Sequence, residues 1–175
     1  MKLRPLELKD APLMVEWMQD SDIYSKMAYD AKDISVLNAE KFIEASKDRN
    51  ENVHLAIASE NDEYLGTVSL KNIDQKNSNA EFAIAIRKCA MGQGISKYAM
   101  IEILRVAFEE LLLNKVYLYV RVDNERAIRF YEKCHLREEG VFKKHLKIGD
   151  EYYDLKWYGM LRSEYTKWLE SVKEI

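Results

Sequence analysis

The chain has 175 residues, 47% hydrophobic and 33% charged, with 27 Lys+Arg against 30 Asp+Glu and a formal net charge of −3. That length suggests one domain, 1–175, able to bury a core without disulfides or a structural metal. No Lys/Arg block stands out, so a nucleic-acid partner is not expected. Cys89 and Cys134 sit in no CxxC or Cys/His ligand spacing, which fits a reduced chain and no metal site. The start "MKLRPLELKD" carries charges where a signal peptide needs an apolar core. The run "LLLNKVYLYV" is broken by Asn114 and Lys115 before it reaches membrane-spanning length. A cytoplasmic location, away from membranes, is expected.

In chain order, "KLRPLEL" alternates and reads as a first strand. Asp10 reads as the N-cap of a helix with Pro12 in its first turn. "SDIYSKMAYDAKD" reads as irregular, and Ser35 then opens a second helix over 36–49. "NVHLAIASE" and "EYLGTVSLKNID" read as strands around a turn at Asn61-Asp62, and "NAEFAIAIRK" as a third. A helix is expected from Ile95 to about Leu113, apolar almost all round, with Asn114 as its stop. "KVYLYVRVD" alternates as a strand, and Asn124 opens the helix "NERAIRFYEKC". "REEGVFKKHLKIGDEYYDLKWYGML" reads as two strands around Gly149-Asp150, followed by a short helix or tail. Strand runs with a few inserted helices suggest a mixed α/β sheet rather than a doubly wound one.

The stretch "RKCAMGQGIS" has two glycines one residue apart, between an apolar strand and a helix. It does not match the P-loop pattern, and Lys97 stands where a dinucleotide fingerprint needs its last glycine. Two readings remain. Gly92, Gln93 and Gly94 can turn successive N–H groups into one concavity at a helix N-terminus, a site for a phosphate. They can equally form a helix-entry turn that holds nothing.

Downstream, Asn124 and Tyr131 are seven residues apart on one expected helix, so both project from one face with Ala127 and Ile128 between them. An amide, a small residue and a phenol on one face could line a slot; an N-cap Asn and a half-buried core Tyr would show the same pattern. Taken together, "AEFAIAIRKCAMGQGISKYAM" and "VDNERAIRFYEKC" resemble the GNAT N-acetyltransferase superfamily, over roughly residues 2–161. The first is similar to its acetyl-CoA signature, (Arg/Gln)-x-x-Gly-x-(Gly/Ala), and the second to its Asn…Tyr helix. Met91 takes the Arg/Gln position, Gly94 the central Gly and Ser96 the final small residue. The N-terminal stretch and the tail resemble the branch of ribosomal-protein, spermidine and amino-sugar N-acetyltransferases.

The resemblance implies a largely antiparallel central sheet of six to seven strands, about four flanking helices and a splayed strand pair for acetyl-CoA. It implies that backbone groups of Ala83, Ile84, Ala85 and Ile86 pair with the pantetheine arm. Met91, Gly92, Gln93, Gly94, Ile95 and Ser96 would hold the pyrophosphate, and Asn124 and Ala127 would line the arm. Tyr131 would be the general acid at the sulfur, and Glu81 the base, directly or through a water. The acceptor would be a small-molecule primary amine, a polyamine such as spermidine or an amino sugar, with a protein N-terminus as a further option. Tyr24, Tyr29, Asp30, Asp33 and Glu81 are the expected acceptor residues, because carboxylates with aromatics suit a cationic amine. A CoA-binding module without catalysis is the rival reading, motivated by Met91 and Ser96, and a homodimer is implied by family analogy. His54, His135 and His145 pair with no recognisable nucleophile or metal motif and are expected to be structural or on the surface.

Overall fold

The computed structural model describes residues 1–27 and 34–173. Among the described residues, seven strands form one sheet in the order β1-β2-β3-β4-β5-β7-β6. They are β1 (Lys2–Pro5), β2 (Val53–Ala58), β3 (Tyr64–Asp74), β4 (Asn79–Ile86), β5 (Lys115–Arg121), β6 (Arg137–Ile148) and β7 (Glu151–Leu161). Every neighbouring pair is antiparallel except β4 and β5. The expected mixed, largely antiparallel architecture is therefore observed, together with its one parallel pair.

Among the described residues, six α-helices flank the sheet, rather than about four: α1 (Ala11–Gln19), α2 (Ser21–Tyr24), α3 (Val36–Ala45), α4 (Ile95–Arg105), α5 (Glu125–Lys133) and α6 (Arg162–Lys173). The difference comes from α2, a single turn inside the stretch that reads as irregular, and from α6, where a short helix or tail was expected. Asp20 makes α2 by capping it, its carboxylate accepting from the Asp22 N–H at 2.9 Å. Ser35 caps α3 as expected, through the Asn38 N–H.

Two boundaries differ for electrostatic and steric reasons. β1 ends at Pro5, and a 3₁₀ turn at Leu8–Asp10 follows. Asp10 makes no side-chain cap to α1; its buried carboxylate instead takes Arg4 at 2.7 Å and the Glu7 N–H at 2.9 Å. Regular α4 stops at Arg105, and a π-helical turn, Val106–Glu110, carries the chain to Leu111.

The core has two parts. Val53, Leu55, Ile57, Val68, Leu70 and Phe82 pack with α4 and the buried face of β5, while Ala56 and Tyr64 pack with α1 and α3. Alternation along each strand sends successive side chains to opposite faces, so helices can cover the first half of the sheet on both sides. Met91 packs against both parts.

The parallel pairing of β4 with β5 is short. It joins Asn79 to Lys115, Ala80 to Val116 and Glu81 to Tyr117, and goes no further. Beyond Glu81 the strands part, β4 held by β3 and β5 held by β7 along its whole length.

Candidate active site

A cleft of about 850 Å³ opens where β4 and β5 part. Phe82, Ala83, Ile84, Ala85 and Ile86 line one side, and Tyr119, Val120 and Arg121 the other. Asn124, Ala127 and Tyr131 of the α5 region also line it, as do Met14, Trp17 and Met18 of α1. The two sequence motifs therefore converge on one cavity.

At the glycine turn, φ is +81° at Gly92 and +76° at Gly94, left-handed values that favour glycine. A Cβ at either position would meet no atom within 4 Å, so the backbone there faces open space. Among the described residues, no protein acceptor takes the N–H groups from Gly92 to Lys97; the next amide, Tyr98, bonds the Gly94 carbonyl at 3.1 Å. A row of free N–H groups at the N-terminus of an eleven-residue helix has the geometry that can hold an anion. Met91 and Ser96 reach the cleft lining, whereas Gly92, Gln93, Gly94 and Ile95 lie outside it on the turn. Gln93 bonds the Cys89 carbonyl, and Ile95 is buried in the core.

Tyr131 is buried among Phe82, Phe130 and Tyr158, with ring centroids 6.2, 5.4 and 6.2 Å away. Its hydroxyl has no hydrogen-bond partner among the described residues, and the side chain lines the cleft. Burial pushes the phenol above the usual tyrosine range. Asn124 is the N-cap of α5: its Oδ1 accepts from Ala127 N–H at 3.2 Å, and its Nδ2 donates to the Lys26 carbonyl at 3.3 Å. Its side chain thus joins the helix start to the segment after α2.

Glu81 is 6% exposed, at the last residue pair before the strands part. Its Oε1 takes Lys71 Nζ at 2.6 Å and its Oε2 takes Asn72 Nδ2 at 3.0 Å; burial first, and then the charge of Glu81, push the Tyr119 phenol above the usual tyrosine value. Consecutive residues of a regular strand point to opposite faces. Here the pairing of β3 with β4 slips between Lys71 and Asp74, with Asn72 at φ +51°, so both neighbours reach one carboxylate.

Sequence patterns did not single out Lys71, Tyr119, Arg121 or Arg126, all of which line the cleft. Arg121 is buried and ties β5 to Asp123 at 2.7 Å and to the Ser25 carbonyl at 2.8 Å. His54, expected to be structural or on the surface, also lines the cleft, its Nδ1 2.7 Å from Ser69 Oγ. Burial, then Lys71, holds its pKa below the usual histidine value.

The acceptor residues fare unevenly. Glu81 lines the cleft, but Tyr24 is exposed outside it. Tyr29, Asp30 and Asp33 lie outside the described residues. Asp22 is a cleft carboxylate, paired at 2.5 Å with Lys88. Among the described residues, no group of His, Cys, Asp and Glu could hold a metal ion, and no helix is long and apolar enough to cross a membrane.

Residues 1–137 match the family model for the acetyltransferase (GNAT) domain. The chain belongs to the GNAT acetyltransferase family. It is 35% identical over 101 residues to a spermidine N(1)-acetyltransferase of Vibrio cholerae, 58% of each chain. It is 36% identical over 100 residues to the putative ribosomal N-acetyltransferase YdaF of Bacillus subtilis, 57% of this chain and 55% of that one. These matches span little more than half the length of those relatives. The crystal structure of spermidine N-acetyltransferase from Vibrio cholerae in complex with CoA and spermine superposes with a TM-score of 0.86 at 27% identity, covering 94% of this chain and 97% of that one.

Proposed function

We propose that this GNAT-family chain moves an acetyl group from acetyl-CoA to a primary amine of a small molecule, a spermidine-type polyamine. The observation that carries the reading is the parting of β4 and β5 at Glu81, which opens a slot with an anion cradle and the Tyr131 phenol on it. The similarity to a polyamine acetyltransferase structure over almost its whole length supports the acceptor class.

The residues present fit acetyl-CoA. The free N–H groups of 92–97 suit its pyrophosphate, and the unpaired edge of β4 at Ala83–Ile86 suits the amides of its pantetheine arm. Ala127 and Asn124 line the arm's path. The cosubstrate supplies the activated acetyl group. Tyr131 donates its proton to the leaving sulfur, and burial keeps that proton in place at neutral pH. Burial also pushes the neighbouring Cys134 thiol up to about 11. A thiolate formed beside Tyr131 is destabilised by the same desolvation, so it accepts a proton there more readily than it would in water.

An alkylammonium with a pKa of about 10 must lose a proton before it can attack. Glu81 takes that proton, directly or through a water. Lys71 and Asn72 engage one lone pair on each of its oxygens and leave others available.

Tyr119 lines the cleft with Trp157 5.4 Å behind it, and this aromatic support favours an amino sugar as the second acceptor. The same reading takes 1–175 as one domain, in the cytoplasm, forming a homodimer through its tail strands. The test is an acceptor screen with acetyl-CoA as donor, over polyamines, amino sugars and peptide N-termini. Acetylation of spermidine is the expected result. CoA binding with no amine acetylated would end the enzyme reading.

A further inference from the structure

The position where the family signature carries Arg or Gln is Met91, and its thioether accepts from Arg126 Nη1 at 2.9 Å. Arg126 stands in the first turn of α5, so two separate motifs meet at this contact. Both residues line the cleft.

Four cations line the cleft: Lys26, Lys71, Arg121 and Arg126. Lys26 pairs with Asp123 at 3.3 Å, Lys71 with Glu81 at 2.6 Å and Arg121 with Asp123 at 2.7 Å. Arg126 alone has no carboxylate partner among the described residues. Glu125, the acid next to it, is engaged by Arg129 at 3.2 Å. A thioether is a weak acceptor and carries no charge, so the contact with Met91 leaves the guanidinium's charge uncompensated. A side chain of this kind, held against Met91, the residue that precedes the free N–H groups of 92–97, fits an anion.

We infer that Arg126 is the cationic contact to the CoA pyrophosphate in this chain, taking from α5 the place that residue 91 leaves empty. The partly buried Met91 side chain packs against both parts of the core and turns its sulfur to Arg126 at the cleft. The charge moves to a neighbouring helix and still reaches the same cradle. This inference rests on the acetyl-CoA reading and adds a residue the signature does not contain.

The test is calorimetric binding of CoA and of 3′-dephospho-CoA to the wild type, Arg126→Met and the double variant Met91→Arg/Arg126→Met, at two salt concentrations. A charge-assisted hydrogen bond of about 1.5 kcal/mol corresponds to about a tenfold loss of affinity. Arg126→Met is expected to lose about that factor for both ligands, with a shallower salt dependence. The double variant is expected to recover part of it. Equal affinity of wild type and Arg126→Met would overturn the inference. So would a loss confined to CoA, which would move Arg126 to the 3′-phosphate. Should the wild type bind neither ligand, the acetyl-CoA reading itself fails, an outcome distinct from an unchanged Arg126→Met.

Discussion

Tyr131→Phe removes one oxygen and leaves the ring in place. The ring contacts with Phe82, Phe130 and Tyr158 survive, because none of them uses the hydroxyl. The hydroxyl has no protein partner among the described residues, so no buried group is orphaned by its loss. Stability is therefore expected to change by less than about 1 kcal/mol, within about 4 °C in Tm for a chain of this size. Turnover is a different matter. If the phenol protonates the leaving sulfur, its removal costs about 10²-fold or more in kcat, which corresponds to about 2.7 kcal/mol of barrier. CoA affinity should hold, since the pyrophosphate cradle at 92–97 is on a different element. Following thiol release with a disulfide dye gives kcat, calorimetry gives CoA affinity, and a melting curve gives Tm. A kcat within twofold of the wild type would remove Tyr131 from the acid role. A large fall in Tm would show that the hydroxyl is held by structure after all.

Three further perturbations probe other parts of the site. Gly94→Asp puts a carboxylate at φ +76° beside the free amides, and calorimetry should show CoA binding abolished; unchanged affinity would contradict the cradle. Asn124→Ala removes the cap to Ala127 and the tie to Lys26, and should cost about 1 kcal/mol, or 2–4 °C in Tm; an unchanged melting curve would mean the cap contributes nothing. His54 is held below its ordinary pKa in the folded chain, so the unfolded chain binds a proton near pH 6.5 that the folded chain refuses. Stability should be full above that pH and fall as the solution is acidified through it. His54→Asn should flatten the change in Tm between pH 7.5 and 5.5, and an identical slope in both proteins would refute it.

Much of this was legible in the sequence because it is local. Strand alternation gave the sheet, Ser35 announced α3, and the seven-residue spacing of Asn124 and Tyr131 brought both to one cavity. The parts that escaped are tertiary or irregular. α2 is too short to show a period. The cleft carboxylate Glu81 has its partners Lys71 and Asn72 because of a slipped register, and alternation alone would have sent one of them to the far face. Asn124 combines what looked like alternatives, since it caps the helix and lines the cleft at once. Arg126 was hidden because its meaning depends on Met91, a residue of another motif that only folding brings near.

The parting of β4 and β5 also has an energetic consequence. β4 keeps its ladder with β3 up to the pair of Gly66 with Ile86, and a Cβ at Gly66 would run into the Ala85 carbonyl oxygen. β5 keeps its ladder with β7 from Lys115 to Arg121. Each strand is thus fixed from its outer side, and neither can swing in to close the gap. The backbone groups on the inner edges past Glu81 and Tyr117 are left without the ladder partners that strands normally supply. Unpaired backbone groups inside a cleft cost about as much as a lost hydrogen bond each, unless something else satisfies them. Water does so imperfectly next to the apolar side chains of Phe82, Ile84 and Val120. A ligand with its own amides, threaded along β4, would restore the missing ladder on one side. The slot therefore favours a linear, amide-bearing arm over a compact ligand, and that preference comes from the sheet, independently of the glycines at its end.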